Sequence, residues 1–441
     1  MAREYRDSGI EWIGQIPKQW EVNKINRLFS TIGSGTTPTS TDNDAYIGHI
    51  NWIQSGDLNG SVLEVVKNRI SEDTLSKYSA LTVYNAPFII IAMYGASVGN
   101  ISISTIDGCC NQACCVLCKS NINFKYAFYA IKSSQRYLVY KAVGGGQPNI
   151  SQNTLKQLWI PVPNLPAQQK ITDFLDKVCG EVDEMVALQE TMIEELKAYK
   201  QSVITEAVTK GLNPNVPMRD SGIDWIGETP EHWDIVPIKY IKGSDKNAFA
   251  DGPFGSNLKS EHFIENGDVI VIESGNITTG KFIYKDFKTI SKEHFETIRR
   301  SECKENDVII AKIGANYGMA GILPLLDKPS VVSGNSLKIT LDDNKMINSI
   351  FVYLMMSAKW NNGFKGLVQE NAQPALSLSG LNNFRMPYAP LPEQRIIASY
   401  LDTKCSEIDS LIALKQAKIE ELKEYKKSVI YEYVTGKKEV V

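Results

Sequence analysis

Five of the eight cysteines fall within the ten residues Cys109 to Cys118, CCNQACCVLC, and Cys115 and Cys118 stand at C-x-x-C spacing. Two thiolates so placed could supply half of a tetrahedral zinc site. The other half is missing, because no histidine lies nearby and there is no second C-x-x-C. The run reads instead as a buried strand that uses cysteine as a small hydrophobe. The triplet Glu302-Cys303-Lys304 spells the E-x-K of some nucleases, yet no Pro-Asp strand precedes it at suitable spacing, and it is expected to be a solvated turn before a strand over Asp307–Ile313. Asn213-Pro214-Asn215 lacks the Pro-Pro and aromatic of an adenine methyltransferase signature, and no G-x-x-x-x-G-K-[S/T] loop could hold a nucleotide phosphate. The four histidines, His49, His232, His262 and His294, form no metal-like pair. Neither a catalytic centre nor a metal site is expected.

The residues that remain are hydrogen-bonding side chains in Gly-rich loops. Arg and Lys fork onto guanine edges, Asn and Gln onto adenine, and Ser and Thr reach phosphates. In a first block the candidates are Ser34, Thr36, Thr37, Lys67, Arg69, Tyr94, Ser97, Gln147, Asn149 and Gln152. In a second block they are Ser256, Asn257, Lys259, Asn276, Lys281, Lys312, Asn316, Tyr317, Gln369 and Gln373. Each has a plainer reading as a capped turn or a solvated side chain.

The elements that must position these loops occur twice. Arg6 to Val22, RDSGIEWIGQIPKQWEV, returns as RDSGIDWIGETPEHWDIV from Arg219 to Val236, with Trp12 matching Trp225 and Trp20 matching Trp233 at an offset of 213. Pro166 to Thr209 returns without a gap as Pro392 to Thr435, at an offset of 226. Val178, Val182, Met185, Met192, Leu196, Tyr199 and Val203 fall at steps of three, four or seven, the seam of a long helix lying against another. Between these repeats, residues 21–163 and 234–390 read as diverged α/β blocks. Strands are expected over Ser61–Val66, Phe88–Met93 and Cys114–Cys118, and helices over Tyr126–Val143 and Ile347–Phe364. The expected segments are therefore 1–20, 21–163, 164–210, 211–233, 234–390 and 391–441.

The formal net charge of −3 hides a division. Residues 21–163 carry eleven Lys and Arg against eight acids and residues 234–390 carry eighteen against seventeen, whereas 164–210 carries five against nine. Acidity sits on the connectors, and the blocks are mildly basic, which permits DNA binding. No apolar run is long enough to span a bilayer, and the opening MAREYRDSGIEW lacks the basic and apolar regions of a secretory signal, so a cytoplasmic protein with reduced thiols is expected.

This layout resembles the specificity (S) subunit of a Type I restriction–modification system. The resemblance spans essentially the whole chain. It rests on IPVPNLPAQQKI and MPYAPLPEQRI leading into the helices, the two SGI-x-WIG-x-x-P-x-x-W segments, the loops DGPFGSNLKS and GSGTTPTS, and the GDL and SGNI turns. Ala167-Gln168-Gln169 departs from the Glu-Gln-Arg kept at Glu393-Gln394-Arg395. The resemblance implies an α/β (α+β) fold. Two target recognition domains each read one half of a split DNA sequence, joined by two long antiparallel helices that form a coiled-coil spacer in a pseudo-twofold duplication. It also implies two methyltransferase (M) subunits carrying S-adenosylmethionine, and two restriction (R) subunits using ATP and Mg, with no chemistry in this chain. Glu194, Glu195, Lys197, Lys200, Glu420, Glu421, Lys423 and Lys426 are then candidates for M docking. A duplicated enzyme would need matching catalytic residues in both blocks, and the aligned loops do not offer them. A structural adaptor with two ligand-binding blocks is the remaining alternative.

Overall fold

The computed structural model describes residues 3–39, 43–142, 148–253, 255–278, 280–285, 287–368 and 374–440. The chain divides into two compact units, Met1–Glu190 with Ala417–Val441, and Thr191–Gln416. Each unit holds one α/β block and a portion of both long helices.

Those helices run over Leu165–Lys210 and Leu391–Val434. Asn164 caps the first, its Oδ1 accepting the Ala167 N–H at 3.0 Å. Proline occurs only in the opening turn of each, where its missing N–H costs no hydrogen bond. Glycine follows each end. Gly211 has φ +74°, and a Cβ there would meet the Trp233 ring at 3.2 Å.

In the first unit, Ile171, Leu175 and Cys179 of the first helix share a buried face with Val429, Ile430 and Val434 of the second. The contacts run antiparallel: the Phe174 and Tyr433 rings lie 4.3 Å apart, and farther along Asp183 meets Lys426 at 2.6 Å. The second unit repeats this with the roles exchanged. Val203, Ile204, Ala207 and Val208 join the core that holds Leu401 and Cys405, and Lys200 meets Asp409 at 2.6 Å. The expected seam is interrupted, since Met185 and Tyr199 are about half exposed. Cys179 and Ile193 take up burial instead, and the Lys–Asp pairs hold the helices where apolar contact lapses.

A five-stranded sheet organises the first block, in the order Phe29–Gly33, Cys114–Ser120, Phe88–Ala92, Ile101–Ser104, Val62–Leu63. Its central strand, Phe-Ile-Ile-Ile-Ala, is buried on both faces, hence a continuous apolar run and not an alternating one. Ile89 and Ile91 enter the core shared with the helices, whereas Phe88, Ile90 and Ala92 enter a second core on the opposite face. Cysteine follows the same alternation: Cys115 faces the helices, and Cys114 and Cys118 face away. All are free thiols, and burial pushes those of Cys109 and Cys118 up to about 11 and that of Cys115 to about 12. They are strand hydrophobes.

The second block holds two four-stranded sheets. One runs Phe249–Asp251, Ser336–Ile339, Val308–Ala311, Ala320–Ile322, and the other Lys288–Ile290, Val269–Ile272, Ser330–Val332, Glu302–Cys303. Glu302-Cys303 is thus an edge strand paired with Val331 and Ser330, with Cys303 buried, and not the solvated turn expected. Three other expectations shift. The strand over Ser61–Val66 shrinks to Val62–Leu63, and Val65 is exposed. The helix over Tyr126–Val143 becomes Phe124–Ser133 and Gln135–Lys141, broken at buried Ser134, whose hydroxyl donates back to Ile131 O at 2.7 Å. The later helix is Asn348–Trp360.

The repeated segments clasp the base of each block. Glu21–Lys24 pairs with Trp159–Val162, and Asp234–Pro237 pairs with Arg385–Tyr388, both antiparallel. Arg6 donates to Trp20 O at 2.7 Å and Arg219 to Trp233 O at 2.6 Å, so the duplicated RDSGI arginines perform one task twice.

Candidate nucleic-acid interface

Each block ends its central strand in a glycine turn that is tied to the Gln-Pro segment farther along. In the first, Gly95 N–H donates to Pro148 O at 3.1 Å and Tyr94 bridges to Asn149. In the second, Gly314 N–H donates to Pro374 O at 3.2 Å and Ile313 bridges to Ala375. Two stretches more than fifty residues apart in sequence thus form one rim in each block.

On the first rim Tyr94 and Asn149 are exposed, and Ser97 is half-buried with its hydroxyl near Tyr94 O. Gln152 is half-buried and hydrogen-bonds toward the Cys115 thiol. Lys67 and Arg69 are exposed, Arg69 on the short strand Arg69–Ile70. The Gly33–Thr37 loop is held from within. Ser34 donates to Cys114 O at 2.6 Å, Thr36 O accepts from the Trp52 indole at 3.3 Å, and Thr37 donates to Gln112 Oε1 at 2.5 Å. Ser34 is therefore a loop anchor, its hydroxyl engaged by the fold.

On the second rim Asn316 is exposed, and the Lys359 ammonium stands 3.0 Å from the Tyr317 ring centroid. Burial lowers the Lys359 pKa. Asn257 and Lys259 are exposed beside the stacked rings of His262 and His294, 3.9 Å apart. Two candidates change role. Asn276 is buried, accepts the Glu273 N–H at 2.9 Å, and donates to Ile283 O at 3.2 Å and Lys285 O at 2.9 Å, so its amide closes its own turn. Lys312 is also buried, 3.6 Å from Asp251, with its pKa lowered first by desolvation. Both polar ends are taken up by partners within the block. Lys281 is exposed and pairs with Asp409 at 2.8 Å. Gln147, Gln369 and Gln373, and the side chain of Ser256, lie outside the described residues.

The helix candidates separate into two groups. Glu194–Lys197 at 2.8 Å, Glu420–Lys423 at 3.2 Å and Glu421–Lys418 at 2.9 Å are surface pairs one turn apart, and Glu195 is exposed. Lys200 and Lys426 instead turn inward to Asp409 and Asp183, which removes them from the outer surface. What the outer surface does carry is apolar. Met185, Leu188 and Tyr199, and their repeat partners Leu411, Leu414 and Tyr425, are all near half exposed or more.

Sequence reasoning noted the Gln in both helix lead-ins without seeing its task. Gln168 accepts from Asn123 N–H at 2.8 Å and donates to Pro163 O at 2.7 Å. Gln394 accepts from Ile347 N–H at 3.0 Å and donates to Lys345 O and Ala389 O. Each locks the helix start to its block, and the retention of Gln at the 226-residue offset was the available signal.

The model of the Type I restriction modification DNA specificity domain matches residues 17–198 and again 254–424, most of the chain and both halves of the duplication. The chain belongs to that family. It is a DNA specificity subunit of a type I restriction–modification enzyme and is itself non-catalytic. Relatives of this specificity subunit run nearly its full length. The Type I restriction enzyme MjaVIII specificity subunit of Methanocaldococcus jannaschii is 23% identical over 96% of this chain and 94% of its own. The MjaIX specificity subunit of the same organism is 24% identical over 88% and 86%. A solved chain from work on complex assembly and conformational transition of the type I R-M system covers 95% of this subunit and 98% of itself. It superposes with a TM-score of 0.68 at 14% identity, a likeness of fold. Among the described residues no helix is long and apolar enough to cross a membrane, and no cluster of three His, Cys, Asp or Glu could hold a metal.

Proposed function

We propose that the subunit reads a bipartite DNA target, one half-site for residues 21–163 and the other for 234–390, with the spacer set by the long helices. The observation that carries this reading is the paired rim. Both blocks tie a glycine turn to a Gln-Pro segment by the same backbone bond, while the letters around it differ: Tyr94, Ser97 and Asn149 in one, Asn316 and Tyr317 in the other. Equal frames with unequal side chains suit two different half-sequences. Lys67 and Arg69 supply phosphate contacts in the first block, and Asn257 and Lys259 join the second surface. Thr36, Thr37 and Gln152 flank the first rim, and Lys281 stands beside the second block's helix contact.

Two M subunits dock on the exposed helix faces, one per repeat. The six apolar side chains described above provide the contact area, and Glu194, Glu195, Lys197, Glu420, Glu421 and Lys423 form a polar rim around it. Methyl transfer to adenine N6 with S-adenosylmethionine then belongs to M, and ATP- and Mg-dependent cleavage to R.

Long-read methylome sequencing of cells expressing this chain with its M partner tests the proposal. A split motif is expected, and replacing residues 21–163 with another such block should change one half only. A continuous motif, or one in which both halves change, would overturn the reading.

A further inference from the structure

The two helix lead-ins differ in charge at one matched place. In the second unit the Trp233 indole donates to Glu393 Oε2 at 2.9 Å, and His232 holds the other carboxylate oxygen at 2.8 Å. In the first unit Glu393 is replaced by Ala167, and a cavity of about 220 Å³ opens beside Trp20, Asn164, Ala167 and Lys170. Trp20 is 4% exposed, and among the described residues its indole N–H has no acceptor. Arg3 lines the same cavity with its guanidinium carbon 5.3 Å from the Trp20 ring, and its Nε is buried without a hydrogen-bond partner. Arg3 and Lys170 stand where the second repeat has Val216 and Ile396. Among the lining residues Lys438 and Glu439 also stand where the other repeat has the uncharged Leu212 and Asn213, so one carboxylate is exchanged for another at a different place and three positive charges are added.

An indole N–H that opens on the cavity and makes no hydrogen bond there, beside the Arg3 guanidinium and Lys170, forms an incomplete site. The acid that lines it, Glu439, is 70% exposed and only 4.0 Å from Arg3 Nη1, and Lys438 is engaged by Glu432 at 2.8 Å. We propose that this cavity binds the carboxylate group of a ligand, with Trp20 Nε1–H donating to one of its oxygens and the Arg3 guanidinium and Lys170 facing its charge. The bound group takes the place that Glu393 fills in the other repeat. The carboxylate comes either from a free small dicarboxylic acid or from a Glu side chain in an acidic segment.

The test uses the full chain labelled with ¹⁵N-tryptophan, in which Trp20→Phe assigns the Trp20 indole resonance. Glutarate is titrated at constant ionic strength, and an oligoglutamate peptide is titrated in parallel. A saturable shift confined to Trp20 is expected, stronger for glutarate if the source is a free acid and for the peptide if it is a side chain. Ala167→Glu, which restores the internal carboxylate, should weaken the response by about tenfold or more and raise the melting temperature. A null response to both probes, or an equal shift with chloride, would overturn the proposal. So would a Trp20 resonance that moves in Glu439→Gln alone while glutarate leaves it unmoved, since the chain's own acid would then fill the cradle.

Discussion

Gln394 offers a severe test of how the helices are fastened to the blocks. Its amide is fully buried and makes three hydrogen bonds, from Ile347 N–H at 3.0 Å and to Lys345 O at 2.9 Å and Ala389 O at 2.8 Å. Truncation to Ala forfeits three bonds of about 1 kcal/mol each and strands the Ile347 N–H at the start of the Asn348–Trp360 helix, which adds about 1–3 kcal/mol. A loss of about 4–6 kcal/mol is expected for Gln394→Ala, and about 1 kcal/mol less for Gln168→Ala, which gives up two bonds. Gln394→Glu should be worse at neutral pH than in acid. A carboxylate accepts from Ile347 but faces two carbonyl oxygens with nothing to donate, and protonation restores one donor. Burial raises the folded pKa of that carboxyl, so its stability is present below the unfolded value and is lost as pH rises through the folded one. Urea unfolding should be read by hydrogen exchange in peptides of 348–360, because a chain of two units need not unfold in one step. A Gln394→Ala cost under about 1 kcal/mol, or equal costs at the two glutamines, would refute the clamp.

Lys132, half-buried in the first unit and donating to Gly60 O, has its pKa pulled down to about 8 by desolvation first and the Lys426 charge second. The unfolded chain binds its proton up to the ordinary 10.5, so stability rises between pH 8 and 10.5. Lys132→Met should stabilise the unit by about 1–2 kcal/mol at pH 7 in thermal melts, an advantage that fades above pH 10 or so. Burial pushes the Asp409 carboxyl upward, but hydrogen bonds and charge from Lys200 and Lys281 outweigh it and hold the pKa below its ordinary value. Its contribution is present above the unfolded pKa and lost as pH falls through the folded one. Asp409→Asn should cost about 0.5–1 kcal/mol at pH 7, with the difference shrinking as pH falls below the ordinary carboxylate range. In fluorescence binding to the cognate duplex, Lys67→Ala with Arg69→Ala should reduce the slope of log affinity against log salt by about two. Asn149→Ala should cost about 1–3 kcal/mol of discrimination at one base position.

The duplication, the helices and the strand of Phe88–Ala92 were legible because each is written in a strong local code: repeated letters, uninterrupted length, a solid apolar run. Cys303 was misread because a two-residue edge strand has no periodicity, and only its pairing with Val331 and Ser330 defines it. Ser134 broke an expected helix through one hydroxyl, which composition does not reveal. Among the site residues, Tyr94 and Asn149 sit together on a rim, whereas Asn276 and Lys312 have the right chemistry and are turned inward. Loop sequence names the donors that are present but not the side to which they point. That is decided by distant partners such as Lys285 O and Asp251.

One consequence follows from the contacts at the two ends of the chain. The Tyr5 hydroxyl donates to Gly436 O at 3.2 Å, and the Lys437 ammonium to Ile13 O at 2.8 Å. Residues 5–13 and 436–437 are therefore fastened to each other within the first unit. In the second unit the segment 211–217 joins a helix to the matching hairpin covalently. Circular permutation that links residue 437 to residue 3 and cuts within 212–217 should exchange the order of the two α/β blocks along the polypeptide and keep the contacts of each hairpin with its helix. The covalent order of hairpin and helix then matters less to each block than their side-by-side packing.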